Sequence, residues 1–407
     1  MTKKIFLTIL LLSTLFISFA ENTYNSYVSA AIDVAGNEDK KGQNLKASAF
    51  YLGQFSLDNS FSARGQFLVE TEEIFKNGVF QHTPAYFTIK ELSSSYRFLT
   101  ENVNHYISFF LGEFDSFGAD SFAKKYFGAT NITSPALLPK AGLDTIGIFN
   151  FNGIGFAYSA KFATPQALSL YFYYNQTEKD IEVDGELITE KSRFLNTDLR
   201  FSSVWDSVIL DTDIGLTLPL KTSYLGQDGE DKEVFLLIDT AELRTGFSML
   251  LGNNPITNLF LQFGSPSINL IDDGSDSAID LSDMYLYMEP RFTGNFLKCN
   301  IAFFWIPQNN VTGLKFIHNP LGININFTSQ PIILFEKNAD FGCNISVSTP
   351  SITESISIDV QVSPYLNLYT EKGAFEIITT INPLNFKKLN KLFSTSVGYK
   401  TYLWKNP

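Results

Sequence analysis

Apolar and polar residues alternate with a period of two along most of the chain. In one well-marked segment the residues on one face are Phe61, Ala63, Gly65, Phe67 and Val69, and those on the other are Ser62, Arg64, Gln66, Leu68 and Glu70. Residues 45–57, 195–201 and 208–218 alternate in the same way. Successive side chains of a β-strand point to opposite faces of the sheet. The pattern therefore predicts strands with one apolar face and one largely polar face.

The connections between these segments alternate in length. Long connections fall near residues 35–44, 71–83, 115–145, 175–192, 220–232, 265–281 and 307–314, and short ones near 58–59, 99–102, 204–205, 252–255, 293–295 and 329–331. Outer-membrane barrels combine short periplasmic turns with longer external loops. We therefore predict an all-β fold, a transmembrane antiparallel up-and-down β-barrel. A water-soluble β-sandwich also alternates, but the unbroken succession of strands without a linker favours the barrel.

The strand count requires one choice. About nineteen segments can be marked, whereas a bacterial single-chain barrel has an even number of strands. Joining the two pieces that flank residues 337–340 into one bulged strand gives about eighteen strands, and we regard sixteen as acceptable. A barrel of this size leaves an aqueous lumen, whereas eight strands would be filled by side chains.

The amino terminus has the pattern of a secretory signal peptide. Lys3 and Lys4 precede an apolar run at residues 5–17, and Ser18 and Ala20 are small residues at the positions that a signal peptidase reads. We predict a cleaved signal peptide at residues 1–20 and a single barrel domain at residues 21–407. The chain has 15% aromatic and only 18% charged residues, which for an exported chain favours the bacterial outer membrane, with its lipid as a partner.

The last segment, residues 392–404, resembles the terminal strand that outer-membrane proteins present to the barrel-assembly machinery. It departs from that pattern because the chain ends in Lys405, Asn406 and Pro407 and not on an aromatic residue. The resemblance implies that this machinery is a partner during biogenesis.

Charge and composition argue against several other classes of function. Without Lys3 and Lys4 the chain has 28 basic and 42 acidic residues, a net charge of −14, which disfavours nucleic acid as a partner. His82, His105 and His318 show no spacing of a metal pair. The acidic runs at 227–233 and 272–283 lack the spacing of a twelve-residue calcium loop. We expect no catalytic residue, no metal and no cofactor.

The longest connection, residues 115–145, is rich in small, aromatic and apolar residues. Such length in a compact domain usually has a function. We expect this loop to fold into the barrel and narrow the pore, with an external cap as the alternative. Its charged residues would then act at the constriction: Asp115, Asp120, Lys124, Lys125, Lys140 and Asp144.

Part of the chain resembles a known group of proteins. Glu91 and Leu92, then Tyr96, Arg97 and Phe98, the segment 107–112, and the run 117–120 look like a stretch common in substrate-specific outer-membrane porins. The resemblance covers about residues 85–145. It implies passive diffusion of small hydrophilic solutes or ions. The alternatives are a transporter of hydrophobic ligands, of the fatty-acid type, and a non-conducting surface or adhesin barrel.

Several charged residues lie in the polar phase of predicted strands. A charge on the lipid face costs about 2–4 kcal/mol at the bilayer midplane, so we expect these side chains to line the pore: Arg64, Arg97, Arg200, Asp211, Asp213, Arg244, Glu289, Arg291, Lys298 and Asp359. They would either screen solutes by charge or brace the wall as paired side chains. The sequence leaves the ion preference and the oligomeric state open.

Two cysteines, Cys299 and Cys343, lie in the apolar phase of their segments. We interpret them as small apolar residues. A disulfide between them would need Cα atoms within about 7 Å, which the sequence leaves open.

Overall fold

The computed structural model describes residues 23–36, 43–57, 60–75, 83–129, 132, 134–139, 147–183, 186–225, 231–236, 241–252, 256–270, 284–311, 313–350, 357–387 and 392–404. The predicted signal peptide lies outside the described residues, as do Lys140 and Asp144 of the predicted constriction and the acidic run at 272–283.

The described residues form one antiparallel sheet of twenty strands that closes on itself. Closure is made by the first and last strands, with Ile32 opposite Val397. The strands are β1 (Thr23–Gly36), β2 (Gln43–Leu57), β3 (Phe61–Thr71), β4 (Ala85–Leu99), β5 (Val103–Phe117), β6 (Phe149–Phe162), β7 (Gln166–Val183), β8 (Glu186–Val204), β9 (Val208–Leu225), β10 (Asp231–Leu236), β11 (Glu242–Leu251), β12 (Thr257–Asn269), β13 (Tyr285–Thr293), β14 (Leu297–Trp305), β15 (Leu321–Ser329), β16 (Ile332–Leu334), β17 (Lys337–Thr349), β18 (Asp359–Tyr369), β19 (Gly373–Ile381) and β20 (Phe393–Trp404).

Two of the twenty strands each continue another strand along the same partner. They therefore do not add to the number of strands around the barrel. Strand β10 pairs with the outer end of β9, and β11 pairs with the rest of β9, so β10 and β11 form one interrupted strand. Strand β16 continues β15 along β17 in the same way. The barrel therefore has eighteen strands around its circumference. The predicted up-and-down barrel and its strand count are confirmed.

The local prediction that produced this count was wrong. Residues 332–334 continue β15 and are not joined to β17 across residues 337–340. The tight turn is made by Phe335 and Glu336, whose φ angles are 49° and 61°, and not by residues 329–331. Positive φ at both central residues matches the twist of a two-residue hairpin. The turn could not be predicted from the sequence, because neither Phe335 nor Glu336 is a residue type that usually forms turns.

The outward face of the barrel is apolar, as the alternation predicted. Phe61 and Val69 of β3 are exposed, whereas Gln66 and Leu68 of the same strand are buried. Aromatic rings pack side by side across strands on this outer face; the Phe67 and Phe87 ring centroids are 5.7 Å apart. Lipid requires that all backbone polar groups be paired internally, which the closed ladder achieves.

Two segments between strands carry short helices. Helix α1 (Asp120–Phe127) and a 3₁₀ turn (Pro135–Leu137) follow β5, and helix α2 (Gln308–Val311) follows β14. A further 3₁₀ turn (Pro383–Asn385) lies between β19 and β20. No described helix has the length and apolar character needed to cross a membrane.

The two cysteines are separated by a strand. Cys299 of β14 and Cys343 of β17 both lie opposite Phe327 of β15, and both thiols are free. Neighbouring strands lie about 4.8 Å apart, so two steps exceed the reach of a disulfide. The cysteines are small apolar residues of the outward face.

A candidate pore between two inward segments and the barrel wall

The chain leaves β5 at Gly118 and turns toward the inside of the barrel. Gly118 has a φ of 80°, a conformation that residues with a Cβ rarely adopt. A Cβ at this position would lie 2.8 Å from the Nε2 atom of Gln262 on β12. That same Nε2 donates a hydrogen bond of 2.5 Å to the Gly118 carbonyl. We call the described residues between 118 and 139 the first inward segment.

The base of the first inward segment is held by a buried arginine. Arg200 of β8 is fully buried and donates two hydrogen bonds to the Asp211 carboxylate, at 2.9 and 2.6 Å. It donates a third, of 2.7 Å, to the Asp115 carbonyl. Its guanidinium carbon lies 3.9 Å from the centre of the Phe122 ring of α1. One side chain thus joins β8, β9, the end of β5 and helix α1.

Lys125 adds a second charge contact at this base. Its Nζ lies 3.3 Å from the Asp115 carboxylate and 4.6 Å from the centre of the Phe114 ring. Burial disfavours the ammonium charge, but the Asp115 carboxylate and Tyr126 more than compensate and raise the pKa of Lys125 above its ordinary value. The charged Lys125 side chain therefore holds α1 against β5.

A second ion pair lies beside the first on the same inner face. Arg244 of β11 donates a 2.7 Å hydrogen bond to Asp198 of β8. Its guanidinium carbon lies 5.5 Å from the centre of the Tyr173 ring. Asp213 is also buried and interacts electrostatically with Arg244 and Asp198. Asp198 was missed at the sequence level, although its phase places it on the same face.

The far end of the first inward segment docks on β13. Glu289 is fully buried and accepts hydrogen bonds from the Ser134 hydroxyl, from the Tyr287 hydroxyl at 2.6 Å and from Arg291 Nε at 2.5 Å. Arg291 also donates a 2.7 Å hydrogen bond to the Ile132 carbonyl. The contacts of Ser134 with Glu289 and of Arg291 with Ile132 join residues more than 150 positions apart in sequence.

A second inward segment, the described residues between 306 and 318, meets the first. Leu314 forms an isolated antiparallel bridge with Pro139, and the Lys315 amide donates a 3.0 Å hydrogen bond to the Leu138 carbonyl. Leu314 and Ile317 are buried in the main apolar cluster, together with rings from β5–β7 and β12–β14. The two segments and the described inward side chains of β5–β9 and β11–β14 form one packed body, which we call the packed wall.

A cavity of about 420 Å³ remains on the other side of the joined segments. It lies against the inner faces of β1, β18, β19 and β20, which we call the open wall. Leu138, Lys315 and His318 line it from the inward segments, and the wall contributes residues that include Asp33, Asn367, Tyr369, Glu376, Thr380 and Lys400.

Small side chains of the open wall leave space for the cavity. Ala31, Ser396 and Gly398 line it, whereas rings such as Phe151 and Tyr171 fill the interior at the packed wall. A Cβ on Gly398 would meet only ordinary contacts, at 3.7 Å or more. Gly398 therefore matters because it leaves space in the cavity, and not because its backbone conformation requires a glycine.

The charges at the cavity differ from those that the sequence had suggested. Lys315 forms an ion pair with Glu376 of β19, at 2.5 Å. The Lys400 Nζ lies 3.8 Å from the centre of the Tyr27 ring, and Lys124 and Lys315 are its electrostatic neighbours. Within the described part of the chain, no ion pair joins Lys400 to a carboxylate.

The predicted site residues are distributed over several places, and none of those that are described lines the cavity. Asp115, Lys125, Arg200 and Asp211 come together at the base of the first inward segment, beside Asp213 and Arg244; Glu289 and Arg291 come together at its far end. Lys124 and Asp120 lie on α1, where Lys124 approaches Lys400.

The remaining predicted residues lie apart from these groups. Arg64 pairs with Glu91 at 3.1 Å, and Arg97 donates a 2.6 Å hydrogen bond to Asn104 near the short turn after β4. Lys298 is exposed at the start of β14. Asp359 accepts a 2.7 Å hydrogen bond from Gln361 at the start of β18. Their role as pore-lining residues stays a prediction.

Asp33, Lys315, Glu376 and Lys400 were not selected from the sequence. The period of two could have identified Lys400, which shares a phase with Ser396 and Gly398, and likewise Asp33 and Glu376 on their own strands. No sequence signal marks Lys315, because it lies in a connection whose path only the folded barrel defines.

Three solved structures align with nearly the whole chain. Acinetobacter baumannii OccAB3 aligns over 95% of this chain and 100% of its own, with a TM-score of 0.52 at 8% identity. Pseudomonas aeruginosa OccK5 (OpdH) aligns over 94% and 98% of the two chains, with a TM-score of 0.48 at 8% identity. Salmonella typhi OmpF aligns over 94% and 98%, with a TM-score of 0.40 at 8% identity.

No protein-family model and no curated protein sequence matches the chain. The OccAB3 alignment nevertheless spans nearly all of both chains, so the expected resemblance to outer-membrane porins is confirmed at the level of the fold. The closed sheet defines the fold as a large antiparallel β-barrel of eighteen strands.

Proposed function

We propose that the chain is a channel of the bacterial outer membrane through which small hydrophilic solutes or ions diffuse passively. The observation that carries the proposal is the cavity between the joined inward segments and the open wall. Lipid would cover the apolar outward face, and β20 would be the strand presented to the barrel-assembly machinery. Passive diffusion requires neither a cofactor nor a catalytic group.

The lining of the cavity suits a hydrated solute. Serine, threonine and asparagine side chains of the open wall offer hydrogen bonds that replace those of water, and Lys315, Glu376 and Lys400 add charge. The cavity is narrow for the lumen of an eighteen-stranded barrel, because the packed wall occupies much of the interior. We infer that the path selects by size as well as by polarity.

Two alternatives make different demands on the interior. A transporter of hydrophobic ligands would need a continuously apolar path, whereas the lining of this cavity combines charged and hydroxyl side chains with alanine, valine, leucine and isoleucine side chains. A non-conducting surface barrel is favoured by one observation, the extensive apolar packing of the inward segments. Whether the protein conducts ions distinguishes this non-conducting surface barrel from the channel.

The test is single-channel recording in KCl of the refolded protein in planar bilayers. A matched pair of variants then locates the path. Gly398→Trp places a ring in the cavity, whereas Val397→Trp places the same ring on the outward face, where Val397 is 43% exposed. We expect Gly398→Trp to lower the conductance by at least about twofold and Val397→Trp to leave it unchanged.

Two results would contradict the proposal. A folded barrel without conductance would favour the surface-barrel alternative. Equal conductance in the parent protein and the Gly398→Trp variant would mean that solutes take a path other than this cavity.

A further inference from the structure

Lys315 occupies the point where both inward segments and the open wall meet. Its amide is bound to Leu138 of the first inward segment, and its Nζ contacts both carboxylate oxygens of Glu376, at 2.6 and 2.5 Å. The Lys315 side chain is 11% exposed and that of Glu376 is 31% exposed. This residue therefore links the packed body to β19 across the edge of the cavity.

The residues beside Lys315 are held by separate contacts, one of which also reaches the open wall. Leu314 and Ile317 are buried in the main apolar cluster. Phe316 packs on Tyr365 of β18 with a 5.4 Å ring separation, and its carbonyl accepts a 3.3 Å hydrogen bond from Asn324. The backbone at Lys315 is thus anchored on both sides, and its side chain spans the remaining distance to β19.

We propose that the Lys315–Glu376 ion pair is a strut that fixes the distance between the joined inward segments and the open wall, and thereby sets the width of the pore. The inference rests on the proposed function, and it assigns to these two residues a positioning role in it. An ion pair suits this role because both partners line the cavity, and the Glu376 side chain, at 31% exposed, keeps access to solvent.

The strut makes a specific prediction for conduction. In Glu376→Gln the neutral amide holds the ammonium weakly, so we expect the inward segments to move and the open-channel current to fluctuate between levels, with at least about threefold more noise. Glu376→Asp should restore most of the steady current. The exchange Lys315→Glu with Glu376→Lys should restore it as well, because the pair is re-formed with its charges reversed.

A second readout does not depend on conduction. Amide hydrogen exchange at residues 313–318 should be at least about threefold faster in Glu376→Gln than in the parent protein. The matched control is Glu371→Gln, which removes an exposed pair with Lys337 at 3.4 Å near a short turn and should leave both the current and these amides unchanged.

The two readouts separate the strut from the proposed function. If the parent barrel does not conduct, the channel proposal fails, and the exchange rates still report whether the pair holds the segment. A steady current with unchanged exchange in Glu376→Gln overturns the strut. So does a change of ion preference without added noise, since that result would assign the pair a purely electrostatic role.

Discussion

The packed wall and the open wall are built from the same alternating pattern, yet they differ in what their inward residues contact. On the packed wall, Arg200, Arg244 and Glu289 are buried, and each has an oppositely charged partner; the first inward segment covers Arg200 and Glu289. On the open wall, Lys400 faces the cavity beside small residues. An inward charge therefore braces the structure on the packed wall and faces the cavity on the open wall.

The difference follows from the energy of burying charge. An ionised group removed from water is tolerated only with a partner and hydrogen bonds, and the packed wall supplies both at every one of these three residues. The open wall has no such requirement because its groups keep access to solvent. Large rings fill the first wall, and Ala31, Ser396 and Gly398 leave space at the second.

The largest expected effect comes from removing the arginine at the base of the packed wall. Arg200→Met removes both guanidinium hydrogen bonds from the Asp211 carboxylate, which keeps the one from the Ser202 hydroxyl, and removes the Arg200 donor of the Asp115 carbonyl. We expect the free energy of unfolding to fall by about 3–5 kcal/mol. Urea unfolding of the barrel refolded in lipid vesicles measures it. Arg97→Met, next to an accessible short turn, is the control and should cost less than about 1 kcal/mol. Equal losses would contradict the distinction between bracing and accessible charges.

Removing a ring from the packed wall should weaken the barrel without widening the pore. Phe151 is fully buried and stacks on Tyr171 at 4.1 Å, so Phe151→Ala should cost about 3 kcal/mol. The new space is enclosed by the inward segments, and the conductance should stay at the parent value. Phe156→Ala on the outward face, where Phe156 is 60% exposed, controls for loss of a ring. A clear rise in conductance would place the solute path inside the packed body.

The entry of the first inward segment can be disturbed at one glycine. Gly118→Val combines a left-handed backbone, which costs about 1–2 kcal/mol in residues with a Cβ, with a contact against Gln262. We expect the segment to dock less firmly and the mean conductance to rise. Gly128→Val also has a positive φ, of 66°, but no atom lies within 4 Å of its Cβ. A smaller effect at Gly118 than at Gly128, in both unfolding and conductance, would argue against the docking contact.

The smallest change in stability is expected on the open wall. Lys400→Gln removes a charge near Lys124 and Lys315 and a contact with the Tyr27 ring, and the free energy of unfolding should change by less than about 1 kcal/mol. The reversal potential in a KCl gradient should nevertheless shift toward cations. Lys298→Gln, at the start of β14, is the control and should shift it less. Identical reversal potentials for both variants and the parent would show that Lys400 does not influence the permeating ions.

The period of two was sufficient for the class of fold, because it assigns each strand residue to the lipid face or to the interior. It placed Arg64, Arg200 and Glu289 away from the apolar face. It did not locate every turn: residues 329–336 continue a strand past an interruption and then reverse at Phe335 and Glu336, where side-chain type gives no turn signal.

What the sequence by itself determined is the alternation of lipid-facing and inward residues, and with it a barrel large enough to contain a lumen. Only the tertiary structure decided which inward residues are covered, because Ser134 reaches Glu289 and Lys315 reaches Glu376 across the closed barrel and not along the chain. A local pattern specifies the direction of a side chain. Its partner is set by ring closure, which brings distant strands to the same interior.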